Sequence, residues 1–99
     1  MAWLYILRCR DGSYYTGSTG DVERRVWEHN AGFVHGYTSK RRPVKLVFQV
    51  ECDSGIEAAE LEHQIKGWRR EKKEALIRGD FEALAGLANT RRGDGWLRD

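Results

Sequence analysis

Residues 3–17, WLYILRCRDGSYYTG, decide the fold. The run from Trp3 to Cys9 is apolar, β-branched and aromatic, stops at Asp11-Gly12, and gives way at Tyr14 to a second aromatic run, the pattern of a β-hairpin. Side chains alternate along a strand, so the loop length decides which tyrosines share a face. A two-residue turn at Asp11-Gly12 pairs position 8 with 15 and sends Tyr5 and Tyr15 to opposite faces. A three-residue loop pairs 9 with 15 and places Tyr5, Tyr15 and Gly17 together. A glycine within a strand, as at Gly17, marks close approach by a ligand or another backbone.

Beyond the hairpin, DVERRVWEHN from Asp21 carries Val22 and Val26 four apart, with an acidic first turn and Gly32 just past its end. It reads as a short helix capped by Asp21 or Thr19. Residues 31–42 are polar, basic and Gly-containing, a loop, and Pro43 opens VKLVFQVEC as a third strand. After Asp53-Ser54-Gly55 the period changes. Ala58, Leu61, Ile65 and Trp68 form one helical stripe, predicting a helix over about 56–70 and a shorter one over 71–78. Gly79 stops that helix, Asp80 can cap a last one over FEALAGLA, and NTRRGDGWLRD reads as a loose tail on which Trp96 and Leu97 can dock. The expected organisation is one α+β domain over 1–88, a small three-stranded sheet containing an antiparallel hairpin, flanked by helices, with a tail at 89–99.

Composition narrows the chemistry. The chain has 99 residues, 40% of them hydrophobic, which suits one modest core and no second domain. It shows no run of the length a membrane span needs and no basic region leading into a signal-peptide core, so it reads as soluble and cytoplasmic. Cys9 and Cys52 stand far apart outside any CxxC, so a disulfide scaffold is not expected. With His29, His35 and His63 they do not make a zinc set. The formal charge is only +2, yet twelve of the seventeen basic residues are arginine, the side chain that grips phosphate bidentately. Lys40, Arg41 and Arg42 lie in a stretch without acids, and Lys66 to Arg78 carries six basic residues against Glu71 and Glu74. Both stretches suit an anionic partner or simply a solvated surface.

Three further residues invite chemistry. Arg25 and His29, four apart, share one face of the first helix. Glu62 lies four residues after Ala58 and three before Ile65, which puts a carboxylate at the margin of an apolar stripe, where it needs a partner, a cation or an exit to solvent.

Taken in order, WLY at 3–5, YTG at 15–17, Arg25 and His29 in the helix, YTSKRRPVKLV at 37–47 and Glu62 in ExxIK resemble the GIY-YIG nuclease domain over nearly the whole chain to about residue 78. The resemblance is to the small stand-alone bacterial subfamily related to the nuclease part of the excinuclease C subunit. Trp3 and Leu4 stand where the first signature has glycine and isoleucine, and Thr16 where the second has isoleucine.

The resemblance implies an endonuclease that hydrolyses phosphodiester bonds with Mg²⁺ or Mn²⁺, in DNA repair, recombination or the processing of single-stranded or branched DNA. It also implies a three-stranded antiparallel sheet with the site on the face reached by the first and second helices. Tyr5 is then the general base or water-activating group, Tyr15 the support of the nucleophile and phosphate, Arg25 the phosphate-stabilising cation, Glu62 the metal ligand, and His29 an accompanying catalytic residue. Gly17, Lys40, Arg41, Arg42 and Lys66 are expected to contact nucleic acid. A non-catalytic nucleic-acid binding module, or a protein-interaction domain within a repair complex, is the alternative on the same fold.

Overall fold

The computed structural model describes residues 1–80 and 82–83. Its elements are β1 (Ala2–Arg8), β2 (Tyr14–Thr19), α1 (Val22–Ala31), β3 (Lys45–Cys52), α2 (Gly55–Lys66) and α3 (Arg70–Arg78), an α+β arrangement with one antiparallel three-stranded sheet ordered β2-β1-β3. The chain groups into two compact units, Met1–Glu62 and one that begins at His63, where the sequence suggests one domain over 1–88. The last helix expected over FEALAGLA lies almost wholly outside the described residues, as does the 89–99 tail.

In the first unit the hairpin turn takes the odd loop. Cys9 N–H donates to Ser13 O at 2.8 Å, leaving Arg10, Asp11 and Gly12 as the loop, and Gly12 sits at φ +86°, a conformation glycine adopts without a Cβ clash. Asp11 accepts from Ser13 N–H at 3.0 Å and fixes the turn. Leu7 pairs with Tyr15 and Tyr5 with Gly17, so Tyr5, Leu7, Tyr15 and Gly17 share a face. The parity is that of the three-residue reading, and the pairing lies two residues from the 9-with-15 match which that reading gave.

β1 is the central strand, and Leu4, Tyr5, Ile6 and Leu7 are each at most 1% exposed. Both of its faces are covered, which explains why its sequence is an unbroken apolar run. On the Tyr5 face, Tyr5, Leu7, Cys9, Val22 and Val44 form a core with Trp3, Tyr15, Val26 and Leu46 packed against it, so the valines of α1 face the sheet. Asp21 caps α1 by accepting from Arg24 N–H at 3.1 Å. Gly32, at φ +85°, ends it with N–H bonds from Gly32 to His29 O and from Phe33 to Glu28 O. The chain then returns to β3 under a side-chain clamp. Asn30 Nδ2 donates to Val44 O at 3.1 Å and Asn30 Oδ1 accepts from Val44 N–H at 2.7 Å. Cys9 and Cys52 are buried free thiols.

α2 opens on Ser54, whose Oγ accepts from Glu57 N–H at 3.1 Å, and it buries Ala58. It stops at Lys66, four residues short of the expected 70. Gly67 is a poor helix former and Arg69 is extended, at φ −69° and ψ 158°. In the second unit Ile65, Trp68, Ala75 and Leu76 are buried, and Lys72 Nζ lies 4.3 Å from the centre of the Trp68 ring. Gly79 caps α3 at φ +71°. Among the described residues no helix is long and apolar enough to cross a membrane.

Candidate active site

The site grows from Gly17. A Cβ built there would lie 2.5 Å from Tyr5 Oη and 2.6 Å from Tyr5 Cζ, so the phenol crosses β2 through the space that any other residue would fill. The close approach read from this glycine is made by Tyr5 itself, so Gly17 shapes the site from beneath. β2 is an edge strand, so the phenol oxygen is delivered to the unpaired margin of the sheet.

There α1 supplies two partners. Tyr5 Oη lies 3.0 Å from His29 Nε2, and Arg25 is near enough for its charge to act on the same phenol. With His29 neutral, the Tyr5 hydroxyl proton has an acceptor in reach when Nε2 is the unprotonated ring nitrogen. Neutral His29 then carries its own proton on Nδ1 and donates it to Thr38 Oγ1 at 2.7 Å. Tyr5, His29 and Thr38 are each at most 1% exposed, and the line of hydrogen bonds satisfies them without water. Burial pushes the Tyr5 hydroxyl up to about 12, with Tyr15 and Glu62 adding to the rise and Arg25 opposing it. Burial, reinforced by the Arg25 charge, brings His29 down to about 4. In the resting chain, then, the phenol holds its proton and the imidazole is neutral at physiological pH.

Arg25 is steadied from the other side by Glu28, whose Oε1 it meets at 3.1 Å, while Arg24 lies 3.4 Å from Oε2. Its proximity to Tyr5 and its bond to Glu28 hold it firmly as a cation. Tyr15 completes the group with ring centres 6.5 Å from Tyr5 and 5.1 Å from His29. Tyr37 stacks on Tyr15 at 6.2 Å, and Arg41 covers the Tyr37 ring at 4.0 Å.

Glu62 arrives from the opposite side. Ser18 pairs with Leu4, so its side chain leaves the sheet on the face away from Tyr5, and its Oγ donates to Glu62 Oε1 at 2.8 Å. Glu62 nonetheless lies close enough to Tyr5 for its charge to oppose ionisation of the phenol. Gly17 and Ser18, adjacent on β2, thus support Tyr5 and Glu62 respectively from opposite faces of the edge strand.

The expected nucleic-acid contacts divide. Arg41 Nε donates to Asp11 Oδ2 at 3.1 Å and its Nη1 to Tyr37 O at 2.8 Å, so it ties the loop to the hairpin turn. Arg42 donates to Ser39 O and Asn30 O, and Lys40 is exposed. Lys66 is exposed on the last turn of α2, beyond the first unit. Sequence reasoning missed Thr38, Ser18 and Asn30. Thr38 lies within the quoted stretch at 37–47 and Ser18 directly follows YTG at 15–17, the one trace of their roles in the sequence.

The chain matches known proteins over most of its length. Residues 1–75 match the GIY-YIG catalytic domain. A UPF0213 protein of Staphylococcus saprophyticus is 47% identical over 75 residues, covering 76% of this chain and 92% of that protein. One from Halobacterium salinarum is 50% identical over 77 residues, 78% of this chain and all of that protein. Among solved structures, a UPF0213 protein of Bacillus halodurans superposes with a TM-score of 0.51 at 43% identity, covering 79% of this chain and 84% of that one. A protein from E. faecalis gives 0.55 at 37% identity, covering 80% and 84%.

Proposed function

This chain belongs to the GIY-YIG catalytic domain family, and on that premise we propose that it is a divalent-metal-dependent endonuclease that hydrolyses DNA phosphodiester bonds by in-line attack of water. One observation carries the reading. Around the unpaired edge of β2, a buried phenol is hydrogen-bonded to a neutral imidazole, with a guanidinium and a carboxylate both close enough for their charges to act on it.

Attack on a phosphodiester builds negative charge on the nonbridging oxygens, and Arg25, already ordered by Glu28, supplies positive charge without reorganising. As the water oxygen bonds to phosphorus, the opposite P–O bond breaks and the departing sugar oxygen takes a proton from solvent water. Tyr5 takes the proton of the attacking water while its own hydroxyl proton passes to His29 Nε2, and Thr38 holds the ring so that this nitrogen faces Tyr5. Because the resting pair keeps the proton on Tyr5, the relay moves only when the charge of an anionic phosphodiester bound outside the buried ring raises the hold of the imidazole on a proton. Tyr15 packs against both rings and keeps them in register.

The donor chemistry fits Mg²⁺ or Mn²⁺. Among the described residues no three His, Cys, Asp or Glu side chains gather, so there is no all-protein cage, and Mg²⁺ characteristically uses one or two carboxylates together with phosphate and water. Glu62, oriented by Ser18, would hold it, and the bound ion would neutralise charge on the phosphoryl oxygens.

The test is cleavage of labelled single-stranded and branched DNA with Mg²⁺ or Mn²⁺. Glu62→Ala and Arg25→Ala are each expected to lower the rate about 10²- to 10³-fold, as loss of a transition-state charge partner does. DNA binding without metal-dependent products from the unsubstituted chain would instead establish a non-catalytic binding module. Binding to a protein but not to DNA would establish an interaction domain.

A further inference from the structure

A second concave feature of the first unit stands apart from the Tyr5 group. A cleft of about 460 Å³ is lined by Arg10, Asn30, Ser39, Lys40, Arg42 and Pro43, three cations and no acid. Arg41, from the same basic run, is absent from it because Asp11 and Tyr37 engage its guanidinium. The remaining cations are differently placed. Arg42 Nε donates to Ser39 O at 3.1 Å and its Nη1 to Asn30 O at 3.2 Å, so folding has already fixed its guanidinium plane. Arg10 and Lys40 are exposed and, among the described residues, neither side chain has a carboxylate partner.

The cleft adjoins the chemistry. Asn30 follows His29 in α1 and Ser39 follows Thr38, and His29 and Thr38 are joined by their 2.7 Å hydrogen bond. Two cleft walls are therefore the immediate chain neighbours of the relay. A small concave site with one pre-set guanidinium, two uncommitted cations and polar amide and hydroxyl groups is built for a tetrahedral oxyanion.

We propose that this cleft seats a backbone phosphate of the strand being cut, one that is not itself cleaved, and so fixes where the strand runs past Tyr5. The proposal rests on the nuclease reading for the identity of the strand, but not for the presence of the phosphate seat. Because such a contact is the same in ground and transition states, its loss raises KM and leaves kcat in place.

The test is Arg10→Ser combined with Lys40→Ser, read by fluorescence anisotropy on a labelled single-stranded oligodeoxynucleotide over a salt series without divalent metal, with cleavage kinetics in parallel. Arg78→Ser, outside the cleft and paired with Asp80 at 3.4 Å, controls for loss of charge. Among the described residues neither substituted cleft side chain makes a bond, so the melting temperature should hold. The double variant is expected to flatten the slope of log affinity against log salt by about 0.7, one phosphate contact, and to raise KM about tenfold with kcat unchanged. An unchanged slope, an equal change in Arg78→Ser, or a fall in kcat at constant KM would overturn the proposal. If the unsubstituted chain cuts nothing and the slope still flattens in the double variant alone, the nuclease reading fails and the phosphate seat stands.

Discussion

The two supports of the site, adjacent on one strand, are built to opposite specifications. At Gly17 the side chain is absent so that a buried phenol can pass, and the Tyr5–His29–Thr38 line beyond it is closed, neutral and fully hydrogen-bonded. At Ser18 the side chain is present, half-buried, and holds the carboxylate of Glu62 by one hydrogen bond. The closed side is set at folding and resists change. The side that includes Glu62 holds its charged group through a bond accessible enough to rearrange when a cation and phosphate arrive. Preorganisation and ligand exchange are thus divided between neighbouring residues of an edge strand.

The sharpest way to break this division is Gly17→Ala. The new methyl would stand 2.5 Å from Tyr5 Oη and force the phenol off His29. Overpacking together with a disrupted buried hydrogen bond should cost roughly 3 kcal/mol, and misplacement of the reacting group should lower cleavage at least about 100-fold. Gly20→Ala is the matched control, because its Cβ would meet only Met1 O, at an ordinary 3.7 Å. Thermal melting decides it: if both variants melt alike, the phenol does not depend on the space over Gly17.

A smaller effect reads the closed side through pH. His29 sits at about 4 in the fold against an ordinary 6.5, so between those values the unfolded chain binds a proton that the native chain refuses. Stability is fully present above pH 6.5 and falls on acidification toward pH 4, by up to about 1.4 kcal/mol per pH unit. Asp11 and Asp80, whose carboxyls are held below the ordinary 3.8 by hydrogen bonds from Ser13 and from Ala83 N–H, lose their contributions only at lower pH. His29→Gln should therefore flatten the limb between pH 6.5 and 4 and leave the steeper acid limb. An unchanged upper limb would show that the imidazole is not held neutral by burial.

What the sequence reveals of these two sides follows from the range of the interactions. The α+β fold, the three strands and the helix periods are written in local patterns, and so is the conditional statement that Tyr5, Tyr15 and Gly17 share a face if the loop is odd. Asp11-Gly12 is compatible with either loop. The choice was made by Cys9 and Ser13 pairing across Arg10-Asp11-Gly12, with Gly12 left-handed, which no periodicity announces. Thr38, Asn30 and Ser18 were silent because their partners lie 9, 14 and 44 residues away. The tie on Arg41 was silent for the same reason: nothing local in the basic run announces that Asp11, thirty residues earlier, folds back onto it. Glu62 could be singled out as an anomaly on an apolar stripe, but its approach from the other face of the sheet depended on the register that pairs Ser18 with Leu4.

The mildest prediction sharpens the ligand-exchanging side. Ser18→Ala removes the donor that orients Glu62 Oε1 and adds no bulk. A partly exposed hydrogen bond to a carboxylate contributes about 1 kcal/mol, so the melting temperature should fall only slightly. If Ser18 merely neutralised an awkward half-buried charge, that small destabilisation would be the whole effect. If it positions Glu62 for a cation, the metal concentration giving half-maximal cleavage should rise about tenfold, as loss of a group supporting a metal ligand does, while the rate at saturating metal recovers. Titrating Mg²⁺ in the cleavage assay separates the two. A midpoint that stays in place with a lowered plateau would assign Ser18 to the reacting phosphate and remove it from the support of Glu62.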